Sequence, residues 1–252
     1  EHARQVVAEL DAVAVLREQR QAAPSGRLRV SMPSDFANLV LADRLAAFVA
    51  LHPAISLELD LSPRRVDLLG EGFDVALRMG DLPDDALLVA SKLAVFTHGL
   101  YASPDYLARH GTPQHPEELI HHQCLAYKGI TGQQRWFFRK GQGDWTPYSV
   151  KGPITGNHAD TLTQAAEQGM GLVMFPSWLI GDALRRGSLV QVLSDFQVSN
   201  SLEPQQIAIL WPGSRRLSVK VRTVIDFFVE KFGPTFFKIW FYCWLVFCQC
   251  KL

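Results

Sequence analysis

Metal-ligating side chains crowd most closely at His121-His122-Gln123-Cys124. With two imidazoles and a thiol within four residues, the run looks at first like half a metal site of the zinc kind. No second Cys/His pair at zinc spacing follows in the body of the chain, so the run reads as a loop entering a strand. Gly169-Met170-Gly171 supplies two glycines of a dinucleotide fingerprint and lacks the third. A nucleophile elbow, a phosphate-cradling glycine loop ending in Lys-Ser/Thr and a His-Glu-x-x-His pair are all missing. These patterns point to binding rather than catalysis, with no enzyme activity, cofactor or metal expected.

The charge balance narrows the partners. Lys+Arg and Asp+Glu each number 25 in 252 residues, with 48% hydrophobic and 20% charged residues. Phosphate binding depends on concentrated positive charge, and no Lys/Arg-rich run is present, so this segment is not itself a grip for nucleic acid. Cys124 stands apart from Cys243, Cys248 and Cys250, which gives no disulfide framework. No export leader opens the chain, which predicts a cytoplasmic address; Glu1 in place of Met suggests that the natural start is lost.

Strands and helices alternate along the body. Leu28 to Met32 is a short apolar strand ended by Pro33, and Ser34 or Asp35 offers an N-cap for a helix over Phe36 to Leu51. Ile55 to Leu61 alternates as a half-buried strand, a short helix is expected around Val66 to Gly70, and Phe73 to Arg78 is a further strand. Parallel strands of this kind direct their following loops to one sheet edge, where small ligands bind in open α/β sheets. Leu87 to Phe96 and Thr97 to Tyr101 carry the chain into a second lobe, and Ser103-Pro104-Asp105 caps a helix through His110. That lobe should hold a strand at Gln123 to Tyr127, an aromatic hairpin around Trp136-Phe137-Phe138 and Trp145, a helix over Ala159 to Gln168 and a buried strand at Leu172 to Phe175. Gln205 to Trp211 and a helix over Ser218 to Phe232 return the chain to the first lobe, so that two strands join two lobes about a cleft.

The ends have their own signals. In Glu1 to Gln21, Val6, Leu10 and Val13 recur at steps of four and three. This is an apolar seam suited to another helix, either from a second chain or from the chain's own domain. After Pro234 the chain is dense in aromatics from Phe236 to Phe247. That stretch is too short, and carries Lys238 too early, to be expected to span a membrane. A shifted reading frame or a foreign extension accounts for it better.

Five pieces in order carry a family resemblance: Gly26-Arg27-Leu28-Arg29-Val30, Phe73 to Gly80, Ala102-Ser103-Pro104-Asp105-Tyr106-Leu107, Gly169 to Pro176 and Leu217 to Phe227. They resemble the linker helix and effector-binding domain of a LysR-type transcriptional regulator. The resemblance implies an α/β fold of two Rossmann-like subdomains joined by two crossover strands, periplasmic-binding-protein-like of type 2, preceded by a linker helix. The implied boundaries are 1–22 for the linker or dimerisation helix, 27–96 with 205–233 for subdomain I, 97–204 for subdomain II and 234–252 for an atypical hydrophobic tail. It also implies a small-molecule effector in the cleft, with organic acids among the candidates, and a homodimer or homotetramer. Promoter DNA would be bound through an N-terminal winged helix-turn-helix that this sequence does not include. A freestanding solute-binding protein of the same fold is the alternative; it would need an export signal and no Val6/Leu10/Val13 seam.

Carried onto this chain, the effector set is Ser34, Asp35, Ser62, Arg78, Gly80, Thr97, Asn157, His158, Phe175 and Pro176. Helix N–H groups beside Ser34 would favour an anion, whereas Asp35 as N-cap would oppose one. Arg78 has the fork to grip a carboxylate, or it forms a salt bridge with Asp81 or Asp74. His158 either caps its helix as a neutral imidazole or makes effector binding sensitive to pH.

Overall fold

A computed structural model describes residues 23–232, apart from 63, 65, 81, 83, 84, 130, 131, 134 and 214–216. The expected linker helix with Val6, Leu10 and Val13, and the tail beyond residue 233, lie outside the described residues. Two compact units divide the chain. One gathers the described parts of Glu1–Arg78, Leu82–Ala94 and Ala208–Leu252; the other comprises Met79–Asp81 and Val95–Ile207.

In the first unit, β1 (Gly26–Met32) pairs in parallel with β2 (Ile55–Leu61) along its whole length, and with β3 (Val75–Met79). The sheet order is β2-β1-β3-β14-β4, with β4 at Leu88–Val95 and β14 at Gln206–Pro212. The helix after β1 begins as α1 (Ser34–Phe36), passes through a π turn (Ala37–Leu41) and continues as α2 (Ala42–Leu51). Its N-cap is Pro33, in extended conformation, and not Ser34 or Asp35. The correction has a local cause: proline fixes φ near the value the cap needs, so the chain turns one residue earlier and leaves Ser34 and Asp35 inside the first turn. Phe36 stacks on Phe232 and Phe48 meets Phe227 edge-on, which fastens this helix to α6 (Val219–Lys231).

No helix forms at Val66 to Gly70. The Asp67 carboxylate instead accepts from the N–H groups of Leu69 and Gly70, and its carbonyl from Glu71. A side-chain carboxylate that mimics a backbone turn in this way competes with helix formation.

The second unit opens with β5 (His98–Ala102) and α3 (Pro104–His110), whose N-cap Ser103 accepts from Tyr106 N–H at 3.3 Å. A six-stranded sheet runs β11-β5-β13-β8-β9, with β12 also on β5, and its named pairings are antiparallel. These strands are β8 (Trp136–Lys140), β9 (Thr146–Tyr148), β11 (Val173–Pro176), β12 (Val190–Val192) and β13 (Phe196–Ser199). A smaller sheet holds β6 (Ala126–Gly129), β7 (Gly132–Gln133) and β10 (Thr155–Gly156). On one side of β5, Leu100 and Ala102 pack with Trp136, Phe138, Met174 and Val198. On the other, Tyr101, Val173 and Phe175 pack under α4 (Ala159–Glu167) and α5 (Ser177–Arg186). The period-2 alternation of strand side chains separates these two clusters. Where the chain passes between units, Phe96 N–H donates to Gln205 O at 3.0 Å.

Candidate functional site

In the first unit the register aligns the carboxyl ends of β1 and β2, since Met32 stands opposite Leu61, and β3 runs parallel beside β1. Ser34, Ser62 and Arg78 therefore belong to one sheet edge. The Ser34 and Asp35 side chains are half-buried, and no side chain caps the helix start. Ser62 Oγ accepts from Arg64 N–H at 3.3 Å.

Arg78 is the organising group of this edge. Its Nη1 donates to Ser31 O at 3.1 Å and Leu77 O at 2.7 Å, and its Nη2 to Ser31 Oγ at 2.9 Å and Arg64 O at 3.3 Å. Asp74, one of the expected partners, bonds Lys220 Nζ at 3.0 Å and Arg29 N–H at 2.9 Å; Asp81 lies outside the described residues. Arg64 in turn holds Glu71 in a two-oxygen ion pair, and its guanidinium pushes that carboxyl down to about 2. The sequence reading missed Ser31. Its signal was a lone hydroxyl between Val30 and Met32 in the strand, where full burial demands a hydrogen-bond partner.

The other expected residues belong to the second unit. Gly80 takes φ +85°, a left-handed conformation suited to glycine, and its N–H donates to Gln206 O at 2.9 Å. Thr97 is exposed, immediately before β5, and Pro176 stands opposite His98 in the β11–β5 ladder. Phe175 is 5% exposed and packed in the core, where its ring meets Tyr127 edge-on at 6.1 Å. Tyr127 lies on β6 opposite Gly156, the residue before Asn157. Asn157, His158, Pro176 and Thr97 are thus linked through neighbouring strands.

His158 is the N-cap of α4. Its Nδ1 accepts from Thr161 N–H at 3.3 Å and lies 2.8 Å from Thr161 Oγ1. Of the two readings of this histidine, the cap is the one with geometry behind it.

No metal centre forms at His121-His122-Gln123-Cys124. His122 Nδ1 lies 3.2 Å from the Tyr106 hydroxyl, which also accepts from Gln123 N–H. Cys124 is fully buried, and burial pushes its thiol up to about 12. Among the described residues no three His, Cys, Asp or Glu side chains gather in a metal-binding arrangement.

The family model for the LysR substrate-binding domain matches residues 21–233. The chain belongs to the LysR family. An uncharacterized HTH-type transcriptional regulator of Haemophilus influenzae is 32% identical over 196 residues, covering 78% of this chain and 66% of its own. The HTH-type regulator YhjC of Escherichia coli is 33% identical over 222 residues, 88% of this chain and 73% of its own. This LysR-family chain thus spans about two thirds to three quarters of those relatives. Among solved structures, the Vibrio cholerae virulence activator AphB matches with TM-score 0.73 and 30% identity over 91% of this chain and 76% of that one. The CrgA regulator of Neisseria meningitidis matches with TM-score 0.74 and 28% identity over 92% and 77%. The fold is accordingly the periplasmic-binding-protein-like α/β pair of subdomains that the sequence led one to expect, and the LysR-family relatives are named as transcriptional regulators, not as enzymes.

Proposed function

We propose that this LysR-family chain is the effector-sensing and oligomerisation part of a DNA-binding transcriptional regulator with no enzymatic step of its own. A small molecule bound by Ser34, Asp35, Ser62 and Arg78 in the first unit, and by Gly80, Thr97, Asn157, His158, Phe175 and Pro176 in the second, changes the affinity or geometry with which the whole protein holds its promoter. The observation that carries this reading is the meeting of Ser34, Ser62 and Arg78 at the carboxyl ends of parallel strands β1 to β3. Arg78 acts there by fixing Ser31 and the Arg64 carbonyl in place, so that hydroxyls and helix N–H groups face a carboxylate-bearing guest.

The same proposal places promoter contact in an N-terminal helix-turn-helix module, pairing in a homodimer or homotetramer through Val6, Leu10 and Val13, and the working protein in the cytoplasm. The deciding experiment is a thermal-shift titration of the chain with benzoate, succinate and malate. At least one should raise the melting temperature, and the gain should disappear in Ser34→Ala and Ser62→Ala. Stabilisation that survives both substitutions overturns the site, and no stabilisation by any of the three overturns the carboxylate reading.

A further inference from the structure

The six-stranded sheet of the second unit and its margin bury two polar atoms that no described residue satisfies, Nδ1 of His98 and Oδ1 of Asn200. His98 opens β5 and stands opposite Val198 of β13. Asn200 follows Val198 by two residues, in the bend that ends β13, where Ser201 N–H donates to Ser199 Oγ at 3.2 Å. Two residues span at most about 7 Å, so both side chains start near the same end of the β5–β13 pair. Unsatisfied buried polar atoms are rare in folded proteins, and each calls for a water, an ion or a ligand atom as its partner.

The surroundings specify that partner's chemistry. The His98 ring packs edge-on against Phe96 (centroids 5.4 Å apart, 67° between planes), and Phe96 in turn meets Trp178 at 6.3 Å. Burial depresses the His98 pKa to about 4, so the imidazole is neutral near pH 7 and offers one donor and one acceptor nitrogen. Such a ring cannot draw in an anion by charge. The Asn200 amide oxygen only accepts, and a carboxylate set against it would bring two acceptors together with no hydrogen to share. A hydroxyl fits both atoms: it accepts from His98 Nδ1–H and donates to Asn200 Oδ1. A primary amide does the same with its carbonyl and its NH2. Thr97 precedes His98, and Pro176 faces it across the ladder, so the two atoms lie in the second unit's share of the proposed effector set.

We propose that His98 and Asn200 form a polar subsite for an uncharged hydroxyl or amide group of the effector, carried on an apolar body that rests against Phe96. This inference rests on the effector-binding reading of the second unit. It extends that reading by giving the effector an uncharged hydrogen-bonding end for His98.

The test uses the full chain with phenol as probe, toluene as its hydroxyl-free match and benzoate as its charged match. Two-dimensional 1H–15N spectra of the histidine rings are recorded alongside the backbone amides. Phenol should move the His98 Nδ1 resonance to saturation while toluene and benzoate leave it in place. Asn200→Leu and His98→Gln should each weaken phenol binding at least tenfold by calorimetry. A His98 signal indifferent to phenol, an equal response to toluene, or unchanged phenol affinity in Asn200→Leu overturns the subsite and leaves a structural water as the partner. The Ser34 and Arg78 amides keep the two readings apart. If benzoate moves them while His98 ignores phenol, this inference falls and effector binding stands; if both stay silent, both readings fall.

Discussion

Among the described residues, His98 carries a clear pH dependence. Its ordinary pKa of 6.5 falls to about 4 on folding because burial opposes the charged form. Between those values the unfolded chain binds a proton that the folded chain refuses, so stability is full above pH 6.5 and is lost as pH falls towards 4. Moving from pH 7.5 to pH 5 should remove about 2 kcal/mol through this residue alone. Urea midpoints at both pH values check it: His98→Gln should lose that much less than the parent. His122, also lowered by burial, remains in both proteins and cancels from the comparison. Arg78 gives a second expectation. The sequence marked it as a fork for a carboxylate or for Asp81 or Asp74, and could not show that the fork reaches Ser31 and the Arg64 carbonyl, partners 47 and 14 residues away. Lysine has one point charge where Arg78 spans four acceptors. Arg78→Lys should therefore cost about 1–2 kcal/mol in a urea melt, and an unchanged midpoint would show that the bonds to Ser31 contribute nothing.

Elements were legible where start and stop signals coincide with an apolar period. Ser103-Pro104-Asp105 announced α3, and its cap hydrogen bond is formed; Ser103→Ala should cost about 1 kcal/mol, read as a drop in thermal midpoint of about 2–4 °C. Helix α5 escaped notice although Gly187 ends it with φ +70° and Arg185 and Arg186 occupy its last turn. The apolar run of β11 continues into Trp178, Leu179 and Ile180, which hides the change from period 2 to period 3.6. The turn at Asp67 was misread as a helix because nothing local distinguishes a carboxylate that closes a turn from one at a helix start. The π turn at Ala37–Leu41 has no sequence signal that we can identify. Gly152 shows the same dependence on distant neighbours: a Cβ there would lie 2.2 Å from Cys124 O and 2.7 Å from Cys124 N, both backbone atoms. The strand entrance at Cys124 is held by its N–H donating to Lys151 O at 2.8 Å, so neither side can withdraw. Gly152→Ala should destabilise by on the order of 3 kcal/mol in a denaturant melt, whereas a wild-type midpoint would mean that the 150–154 segment moves aside at no cost.

For the molecule as a whole, the alternation of strands and helices, with the return of Gln205 to Trp211 to the first sheet, was enough to propose two subdomains. The antiparallel pairing of the second unit's larger sheet was not, since strand direction depends on which segments meet and short apolar runs read alike in either sense. The same scale shows how far the described chain reaches into the core. Phe232 is fully buried, stacks on Phe36 with centroids 5.7 Å apart, and meets Phe228 at 6.1 Å. The chain therefore contributes to the first unit's core as far along as Phe232, two residues before Pro234. Beyond it, Phe236, Phe237, Trp240, Phe241, Tyr242, Trp244 and Phe247 form an aromatic stretch with a single lysine, Lys238, among them. A segment of that composition drives association if solvent can reach it. Ending the chain after Pro234 should leave the thermal midpoint unchanged, because the contacts of Phe232 with Phe36 and Phe228 are retained, and should raise the concentration at which the protein stays monodisperse in light scattering. A fall in the midpoint of the shortened chain would show that residues 235–252 help to hold the first unit together, and would assign the aromatic stretch to the fold.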